Sequence, residues 1–504
     1  MADSSAAMWL ATLEPRLHGR WAEMSVFDAA YDGNHHFSRW LSSVQRAFTG
    51  TVLGNLLNGL TDNYMPLVVD SAAERLRVQG FRFGSAEDAD ADAWSIWQAN
   101  GLDGASNMLH TEAIKLGEAY WMVTPNGDEP IITCEHPSQV IVAYAPGNRR
   151  IRLAALKKWC EDDGTLRANV YLPDRVVKFH ADGDAYTPVQ PPNKDKWVED
   201  SVEGNPLGVV PIVPMPNNPS MLKGGRSDLA GGPVSLQDMI EKTVADLLIG
   251  SEYHGLPQRV MLGVEAPRDP NTGRVVNDAD MNKSRLWYFN SKDAKAHEFS
   301  QADLKGLREA ADGFIGDLAA QTRIPIYYFR PAAISNISAE ALIGLDAGLV
   351  SKTNDKKAPF GEGHEEAMRL AFKSIDPADP RAQATDAETI WADTESRSQA
   401  QTVDAAVKLA TIGVPQEALW ERIGASPQEI DRWKAIAAEE SFPNLTAPDG
   451  MGDTTKNGPA PATNEGATNL FRRLTWTNLA RLVPVVLNLS PPVSFPPTVE
   501  GRRG

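Results

Sequence analysis

Few side chains in this 504-residue sequence have the types and spacing that catalysis or metal binding requires. Adjacent histidines occur in the stretch NHHF (residues 34–37), but neighbouring residues point in different directions on a helix or a strand. The stretch GHEEAMRL contains half of a zinc-protease motif, yet Met368 stands four residues after His364, where that motif has its second histidine. We interpret this stretch as a solvated charged face.

Acidic and sulfur-containing residues indicate no site either. Asp103, Glu112 and Glu118 could form an acid pair, but no pattern fixes them in a shared site. Cys134 and Cys160 are the two cysteines, and the sequence has no CxxC and no histidine pair beside either one, which argues against a disulfide framework and against zinc. Phosphate-binding loops, nucleophile elbows and EF-hand loops are also absent from the sequence. The sequence therefore predicts no catalytic residue, no metal site and no cofactor.

The charge balance limits the nucleic acid binding that can be expected. The net charge is −17, which disfavours tight binding to phosphates because Lys and Arg supply most of that affinity. A protein that encloses DNA without gripping it remains compatible with this charge. The one candidate group of DNA-facing basic residues is Lys352, Lys356 and Lys357.

No segment of the sequence has the features of a secretion signal or a membrane helix. The first 20 residues lack a basic region followed by an apolar one. The longest apolar run, LVPVVLNL, is short and contains Pro484, whereas a membrane helix needs about 20 apolar residues. We expect a soluble protein of a reducing compartment.

A conspicuous loop lies within RIPIYYFRPAAISNISAEALIGLDAGLVSK, residues 323–352. Three aromatic residues lead into a proline and a run of small polar residues, and a helical pattern then starts at once. Ser338 is the expected N-cap of that helix. Tyr327, Tyr328 and Phe329 are expected to anchor the base of the loop. The loop itself has no residue suited to catalysis.

The elements around this loop predict an α+β protein with an inserted pair of helices. Residues 1–225 mix helical and strand patterns, and two helices of about 20 residues follow, each apolar on one face. The residues of these two faces are Leu236, Ile240, Val244 and Leu247 in the first helix and Leu304, Leu307, Ala311 and Ile315 in the second. Because a two-helix arm buries little by itself, we expect these faces to be buried against neighbouring chains.

Three further segments complete the chain. PQRVMLGV and SRLWYFN predict two strands between the matched helices. A long helix is expected from Ser338 to Ser374, kinked or interrupted at Pro359. Short helices follow, one with the capping box SPQE at Ser426, and the composition after residue 442 is typical of disorder.

This order of elements, together with many local phrases, resembles the portal (head–tail connector) proteins of tailed double-stranded-DNA bacteriophages of the long-tailed type. The likeness covers residues of about 20 to 440. The phrases that carry it are YDGNH, VVDSAAERLRVQGFRF, HTEAIKLGEAYWMV, NPLGVVPIVPMPNNP, GRSDLAGGPVSLQDMIEKTVADLL, RIPIYYF and TIGVPQEALWERIGASPQEIDRW.

The resemblance implies a portal-like architecture. In family terms this is an α+β wing, a two-helix stem, a small β clip, a tunnel loop, a long kinked helix and a helical crown. The implied ranges are 1–225 for the wing, 226–254 and 301–324 for the stem, 255–300 for the clip, 325–338 for the loop, 339–376 for the long helix, 377–441 for the crown and 442–504 for the tail.

The resemblance also implies a function. It is a ring of twelve copies at one capsid vertex of the virion, assembled in the host cytoplasm, through which DNA is packaged, retained and ejected. The implied partners are double-stranded DNA, the terminase large subunit, a head–tail adaptor, and the major capsid and scaffolding proteins, without a membrane. The tunnel-loop residues implied to line the DNA path are Arg330, Ala332, Ala333, Ser335, Asn336 and Ser338.

The sequence leaves open a second hypothesis, in which the protein belongs to a different functional class. A cytoplasmic enzyme or adaptor could use the two-helix insertion as an arm for oligomerisation. A particle near twelve times 54.9 kDa with a central hole distinguishes a portal from a compact dimer.

Overall fold

The structure of the protein, a computed structural model, describes most of the chain. The described residues are 4–34, 62–84, 89–181, 197–221, 224–255, 259–262, 268, 286–289, 304–331, 338–395 and 399–441. The chain divides into two compact units, residues 1–438 and 439–504, and only residues 439–441 of the second unit are described. The part of the chain predicted to be disordered lies outside the described residues.

Eleven α-helices and twelve β-strands lie in the described ranges. The helices are α1 Ser4–Tyr31, α2 Met65–Ala73, α3 Ala91–Ala99, α4 Leu102–Leu116, α5 Pro233–Gly255, α6 Leu304–Thr322, α7 Ile326–Phe329, α8 Ala339–Ile375, α9 Gln399–Thr411, α10 Gln416–Arg422 and α11 Pro427–Ser441. The strands are β1 Val78–Arg82, β2 Glu118–Thr124, β3 Ile131–Glu135, β4 Val140–Ala145, β5 Asn148–Cys160, β6 Leu166–Tyr171, β7 Arg175–Ala181, β8 Val198–Gly204, β9 Ile212–Pro216, β10 Arg259–Leu262, β11 Leu286–Phe289 and β12 Glu388–Trp391.

The larger sheet has the order β4-β5-β6-β7-β8, and all four strand pairs are antiparallel. One face of this sheet is covered by α1. The spacing of the apolar residues in α1 explains this contact, because Ala6, Leu10, Leu13 and Leu17 recur every three or four residues and form one buried stripe. A buried ion pair, Lys158 Nζ to Glu14 Oε1 at 2.6 Å, fixes the helix on the sheet.

Two smaller sheets complete what we call the front domain, which consists of the described residues from 4 to 221 together with strand β12. The order β3-β2-β9 forms one, with β2 antiparallel to both neighbours. The other pairs β1 with β12, which are separated by most of the chain, in an antiparallel ladder. Strand β1 lies at Val78–Arg82, and the side chain of Asp90 caps α3 by accepting a hydrogen bond from Ala93 N. The predicted α+β class is confirmed as a mixed architecture of helices and sheets.

The two long helices of the insertion, α5 and α6, pack on each other and on the front domain. Gly250 of α5 allows a close crossing, since a Cβ there would lie 2.8 Å from Leu304 Cδ2. The prediction that their apolar faces need neighbouring chains is wrong for four of the eight residues. These four are buried within the single chain and are 0–8% exposed: Leu236, Ile240, Ala311 and Ile315. All but Ala311 belong to its largest core.

The other four residues of those faces are half-buried: Val244, Leu247, Leu304 and Leu307. The physical reason for the error is that the two helices face each other and the body, so that their apolar faces are covered within one chain. An apolar stripe shows that a helix is covered, and it does not show what covers it. Between α5 and α6, strands β10 and β11 confirm the two predicted strands and pair in parallel.

The long helix α8 runs without interruption from Ala339 to Ile375. Ser338 is its N-cap as predicted, and its hydroxyl accepts a hydrogen bond from Ala341 N at 3.2 Å. The predicted interruption at Pro359 is wrong. A proline removes one helical hydrogen bond, but Phe360 and Met368, both 0% exposed, hold the following turns in the core.

Two glycines of α8 have opposite surroundings, which gives a matched prediction. A Cβ at Gly363 would lie 2.0 Å from Met215 Sδ and 3.3 Å from Pro214 O, whereas a Cβ at Gly344 meets no atom within 4 Å. Gly363→Ala is expected to destabilise the protein by about 1–3 kcal/mol because the helix must move off β9. Gly344→Ala is expected to stabilise the protein by about 0.5–1 kcal/mol through helix propensity.

Thermal melting of the two variants beside the wild type measures this difference. If both substitutions move the melting temperature in the same direction, the close contact between α8 and β9 is contradicted.

Helices α9, α10 and α11 form the segment that we call the crown, residues 399–441. The capping box is confirmed, because Glu429 N donates to Ser426 Oγ at 3.3 Å and Ser426 N donates to Glu429 Oε2 at 2.9 Å. The predicted start of the helical crown at residue 377 is too early. Residues 377–395 contain a short 3-10 helix and β12, which belongs to the front domain through β1. Arg82 of β1 joins the crown to this sheet through Glu421 at 2.7 Å.

Candidate functional site

The described structure holds both ends of the predicted loop. Ala332, Ala333, Ser335 and Asn336 lie outside the described residues. On one side of them is the short helix α7, which ends at Phe329 and is followed by Arg330. On the other side is Ser338, the exposed N-cap of α8.

A cluster of four side chains, which we call the tyrosine cluster, joins the two sides of the loop. It consists of Arg75, Tyr327, Tyr328 and Asp346. The hydroxyl of Tyr327 donates to Asp346 Oδ1, and the guanidinium of Arg75 donates to Asp346 Oδ2 at 3.2 Å and to the hydroxyl of Tyr328 at 2.6 Å. The rings of the two tyrosines are in contact, with centroids 5.0 Å apart. Residues 327 and 346 are therefore held together, with the loop between them.

The surroundings of the cluster stabilise its hydrogen-bonded state. Burial and the hydrogen bond to Asp346 both raise the pKa of the Tyr327 phenol, so it stays protonated and donates. Burial opposes the charge on Arg75, but Tyr328 and Asp346 outweigh it and raise the pKa of the guanidinium. The side chains of Arg75 and Asp346 are only 12% and 9% exposed. A buried charge that is paired and hydrogen-bonded in this way is costly to separate.

The remaining anchor residues confirm and correct the sequence prediction. Phe329 is 6% exposed and packs against Tyr64, with ring centroids 5.7 Å apart. Tyr327 and Tyr328 anchor the loop as expected, but their hydroxyls bind α8 and the end of α2, not the stem helices. Contact with the stem is made by Arg330, which forms an ion pair with Asp312 of α6. The one cation at the start of the loop is thus paired with a carboxylate of its own chain.

The predicted group of DNA-facing lysines is not a surface patch. Lys356 is 1% exposed, and its ammonium donates to Asp228 Oδ1 at 2.8 Å and to Asn217 Oδ1 at 2.6 Å. Lys352 forms an ion pair with Asp228 Oδ2 at 2.8 Å. Lys357 donates to the carbonyl of Ala392 at 2.9 Å. The prediction that these lysines face DNA is wrong for Lys356, because its charge is inside the protein, and the other two are engaged with their own chain.

Asp228 is the centre of this second network. Burial alone would raise its pKa, but the ammonium groups of Lys352 and Lys356, with the amide of Asn217, lower the pKa well below its ordinary value. The carboxylate is 3% exposed. Its backbone N also donates to Ile114 O at 3.0 Å, so α4, the end of β9, the segment before α5 and the long helix meet at this one residue.

The stretch GHEEAMRL contains a buried histidine, so the interpretation as a solvated face is wrong at His364. His364 and His110 are 0% exposed, with their Nε2 atoms 2.9 Å apart. Trp121 Nε1 donates to His364 Nδ1 at 3.1 Å, so His364 donates through Nε2 to His110. Burial lowers the pKa of His110 to about 3, and both rings are neutral at pH 7. This pair packs among aromatic rings as part of the core.

The described residues contain no group of three or more His, Cys, Asp or Glu side chains that could hold a metal ion. The described helices also include none that is long and apolar enough to cross a membrane.

Sequence analysis does not single out Arg75, Asp346 or Asp228. One signal was available for Asp346, since it is the only charged residue in the apolar stretch ALIGLDAGLV, residues 341–350. An isolated carboxylate in such a stretch indicates a paired, buried group. No comparable signal exists for Arg75, whose partners lie more than 250 residues away in the sequence.

Comparison with known proteins gives a consistent result. The model of the family described as "Phage portal protein, SPP1 Gp6-like" matches residues 30–441. The portal protein of Mycobacterium phage D29 is 30% identical over 391 residues, which cover 73% of this chain and 78% of the relative. The portal protein of Mycobacterium phage L5 is 30% identical over 400 residues, which cover 76% and 79%.

A crystal structure of an HK97 family phage portal protein from Corynebacterium diphtheriae is also similar, with 11% identity over 74% of this chain and 98% of the other. The TM-score of the two structures is 0.29.

Proposed function

Because the chain belongs to the SPP1 Gp6-like family of phage portal proteins, we propose that it forms the ring channel through which DNA enters, stays in and leaves the capsid. Portal proteins are structural head–tail connector components of the virion, and they form oligomeric rings. We further propose twelve copies in the ring, docking of the terminase large subunit and a head–tail adaptor, contacts with the major capsid and scaffolding proteins, and no catalytic activity of its own.

The loop between Arg330 and Ser338 is the proposed DNA contact. The observation that supports this role best is the tyrosine cluster, which holds Tyr327 and Asp346 together on the two sides of this short segment. Residues 331–337, PAAISNI, carry no charge, and the cation before them is paired with Asp312. Such a loop can touch a moving duplex without gripping its phosphates, since Lys and Arg supply phosphate affinity.

The first turns of α8 are the proposed contact with a neighbouring copy. Ile343 and Leu345 are 37% and 43% exposed, and the only charged residue from 341 to 348, Asp346, is buried. An exposed apolar segment of this kind marks an interaction surface. A second copy is the proposed occupant, because the segment directly follows the loop, and the loops of all copies converge on one axis in a ring.

Substitution of Asn336 tests the proposed function. Each added charge is repeated in every copy around the duplex, and the fields of neighbouring copies overlap within a Debye length of about 8–10 Å. Asn336→Lys is expected to give normal rings and heads that package or retain DNA abnormally, with a defect that eases at higher salt. Asn336→Asp is expected to favour leakage of packaged DNA.

Asn336→Gln is the matched control, because it lengthens the side chain without adding charge. Melting of the assembled ring is measured first, since the lysine lies close to the N-cap at Ser338. Normally melting rings with unchanged packaging and retention in both charge variants would show that this loop does not face DNA.

A further inference from the structure

The short segment between β12 and the crown is fixed to the long helix. We call this segment, residues 392–395, the crown linker. Its Ala392 carbonyl accepts a hydrogen bond from Lys357 Nζ at 2.9 Å, and the hydroxyl of Thr394 donates to Asn354 Oδ1 at 3.0 Å. Thr394 is 4% exposed. The linker is thus held on α8 by two hydrogen bonds, one of them from the buried Thr394.

Arg75 joins the crown linker to the tyrosine cluster. One terminal nitrogen of its guanidinium donates to Thr394 O at 3.2 Å. The other donates to the hydroxyl of Tyr328 at 2.6 Å and to Asp346 Oδ2 at 3.2 Å. The planar guanidinium has donors in fixed directions, so these three acceptors must keep their relative positions for all the hydrogen bonds to persist.

We propose that Arg75 is a positioning residue that couples the crown linker to α7, the short helix that precedes the loop. The coupling rests on one shared donor group: when Thr394 O moves, Arg75 either follows it and leaves Tyr328 and Asp346, or stays and leaves the carbonyl without its partner. Both choices break a hydrogen bond of a buried charged group, which costs more than a bond at the surface. A displacement of the crown linker therefore weakens the hydrogen bonds that hold α7 and the start of α8 together.

The hydrogen-bond partners of Arg75 show how a movement of the crown linker is passed on. Tyr328 belongs to α7, which leads directly into the loop, and Asp346 also binds Tyr327. Loss of the hydrogen bonds from Arg75 to Tyr328 and Asp346 loosens two of the residues that hold the base of the loop. Phe329 stays packed in the core. A displacement of Thr394 would thus reach α7, the helix that precedes the loop. This part of the inference rests on the proposed function, in which the loop contacts DNA.

A double-mutant cycle read by hydrogen exchange tests the coupling in the assembled, full-length protein without DNA. Thr394→Val perturbs the linker only, because it removes the hydroxyl that donates to Asn354. We expect it to speed amide exchange in peptides covering residues 326–337 by about fivefold. In the background of Arg75→Gln, which removes the shared guanidinium, Thr394→Val is expected to leave exchange in these peptides unchanged.

The matched control is Thr353→Val. Thr353 is a buried threonine one residue from Asn354, and its hydroxyl donates within α8 to Leu349 O at 2.8 Å. Loss of this hydroxyl is expected to leave exchange in the loop peptides unaltered. Equal effects of Thr394→Val and Thr353→Val on these peptides would overturn the proposal, and so would an equal effect of Thr394→Val with and without Arg75.

A second route covers the case in which Arg75→Gln does not assemble. Tyr328→Phe removes one acceptor of Arg75 and keeps the ring and the charge pair, so it is expected to reduce the effect of Thr394→Val on loop exchange. An undiminished effect would count against the coupling. The readout needs no DNA, so a chain that passes this test and packages no DNA would contradict the proposed function alone.

Discussion

Asp228→Asn is expected to lower the free energy of unfolding by about 3–5 kcal/mol, the range for breaking a buried ion pair by removing one partner. The amide keeps the size of the side chain but leaves the ammonium of Lys356, which is 1% exposed, without its counter-charge. Lys352 loses its carboxylate partner as well. Thermal and urea melting of the variant beside the wild type measure the loss.

The difference in stability between the wild type and Asp228→Asn is expected to shrink as the pH falls. The pKa of Asp228 is lower in the folded protein than the ordinary value of 3.8, so its contribution is fully present above pH 3.8. It is lost progressively as the pH falls from there toward the folded-state pKa. The gap in stability between wild type and Asp228→Asn is therefore expected to be constant from pH 7 to about 5 and to shrink near pH 3.

Asp355→Asn is the matched control on the same long helix. Asp355 pairs with Arg323 at 3.8 Å, and the two side chains are 69% and 61% exposed. Exposed pairs contribute about 0–1 kcal/mol because water screens them. Comparable destabilisation by the two substitutions would mean that Asp228 does not hold the stem, the front domain and α8 together.

Ring formation is expected to be lost when Ile343→Asp and Leu345→Asp are combined. Both side chains are exposed in the single chain, so the substitutions leave its core intact. In a ring, each contact would bury these carboxylates without partners, at a cost of several kcal/mol per contact. Sedimentation and negative-stain images should show folded single chains near 54.9 kDa in place of rings.

Ile151→Asp provides the comparison for a scattered apolar residue. Ile151 is 51% exposed on β5, next to Arg150, and belongs to no charge-free segment. This variant is expected to form normal rings. Normal rings from the double variant of α8 would instead place the neighbour's contact elsewhere on the chain.

Features determined by nearby residues could be predicted from the sequence. The caps at Ser338 and Ser426 depend on side chains within three residues of the helix start, and both are confirmed. The helices α5 and α6 were predicted from apolar residues that repeat every three or four positions. The sequence predicts Tyr327 and Tyr328 as loop anchors because aromatic side chains bury a large apolar area and their hydroxyls find hydrogen-bond partners.

Features determined by distant residues could not be predicted. A lysine on a helix is normally solvated, so nothing in the sequence near Lys356 indicates that Asp228 lies 2.8 Å away. His364 is surrounded by glutamates in the sequence, but its ring is buried and meets His110. Arg75 has no local pattern at all, because its role depends on three partners brought together by the whole fold.

The pairing of β1 with β12 has a consequence for the way the protein is made. Arg82 and its strand partner Glu388 are 306 residues apart, so at about 5–20 residues per second the ribosome needs about 15–60 s to deliver the second strand after the first. During that time the edge of β1 is unpaired and open to other chains. The stem helices and the loop are all synthesised before the body that supports them can close. A chain whose synthesis stops before residue 391 therefore carries the first turns of α8, the proposed contact with a neighbouring copy, without the strand that pairs with β1.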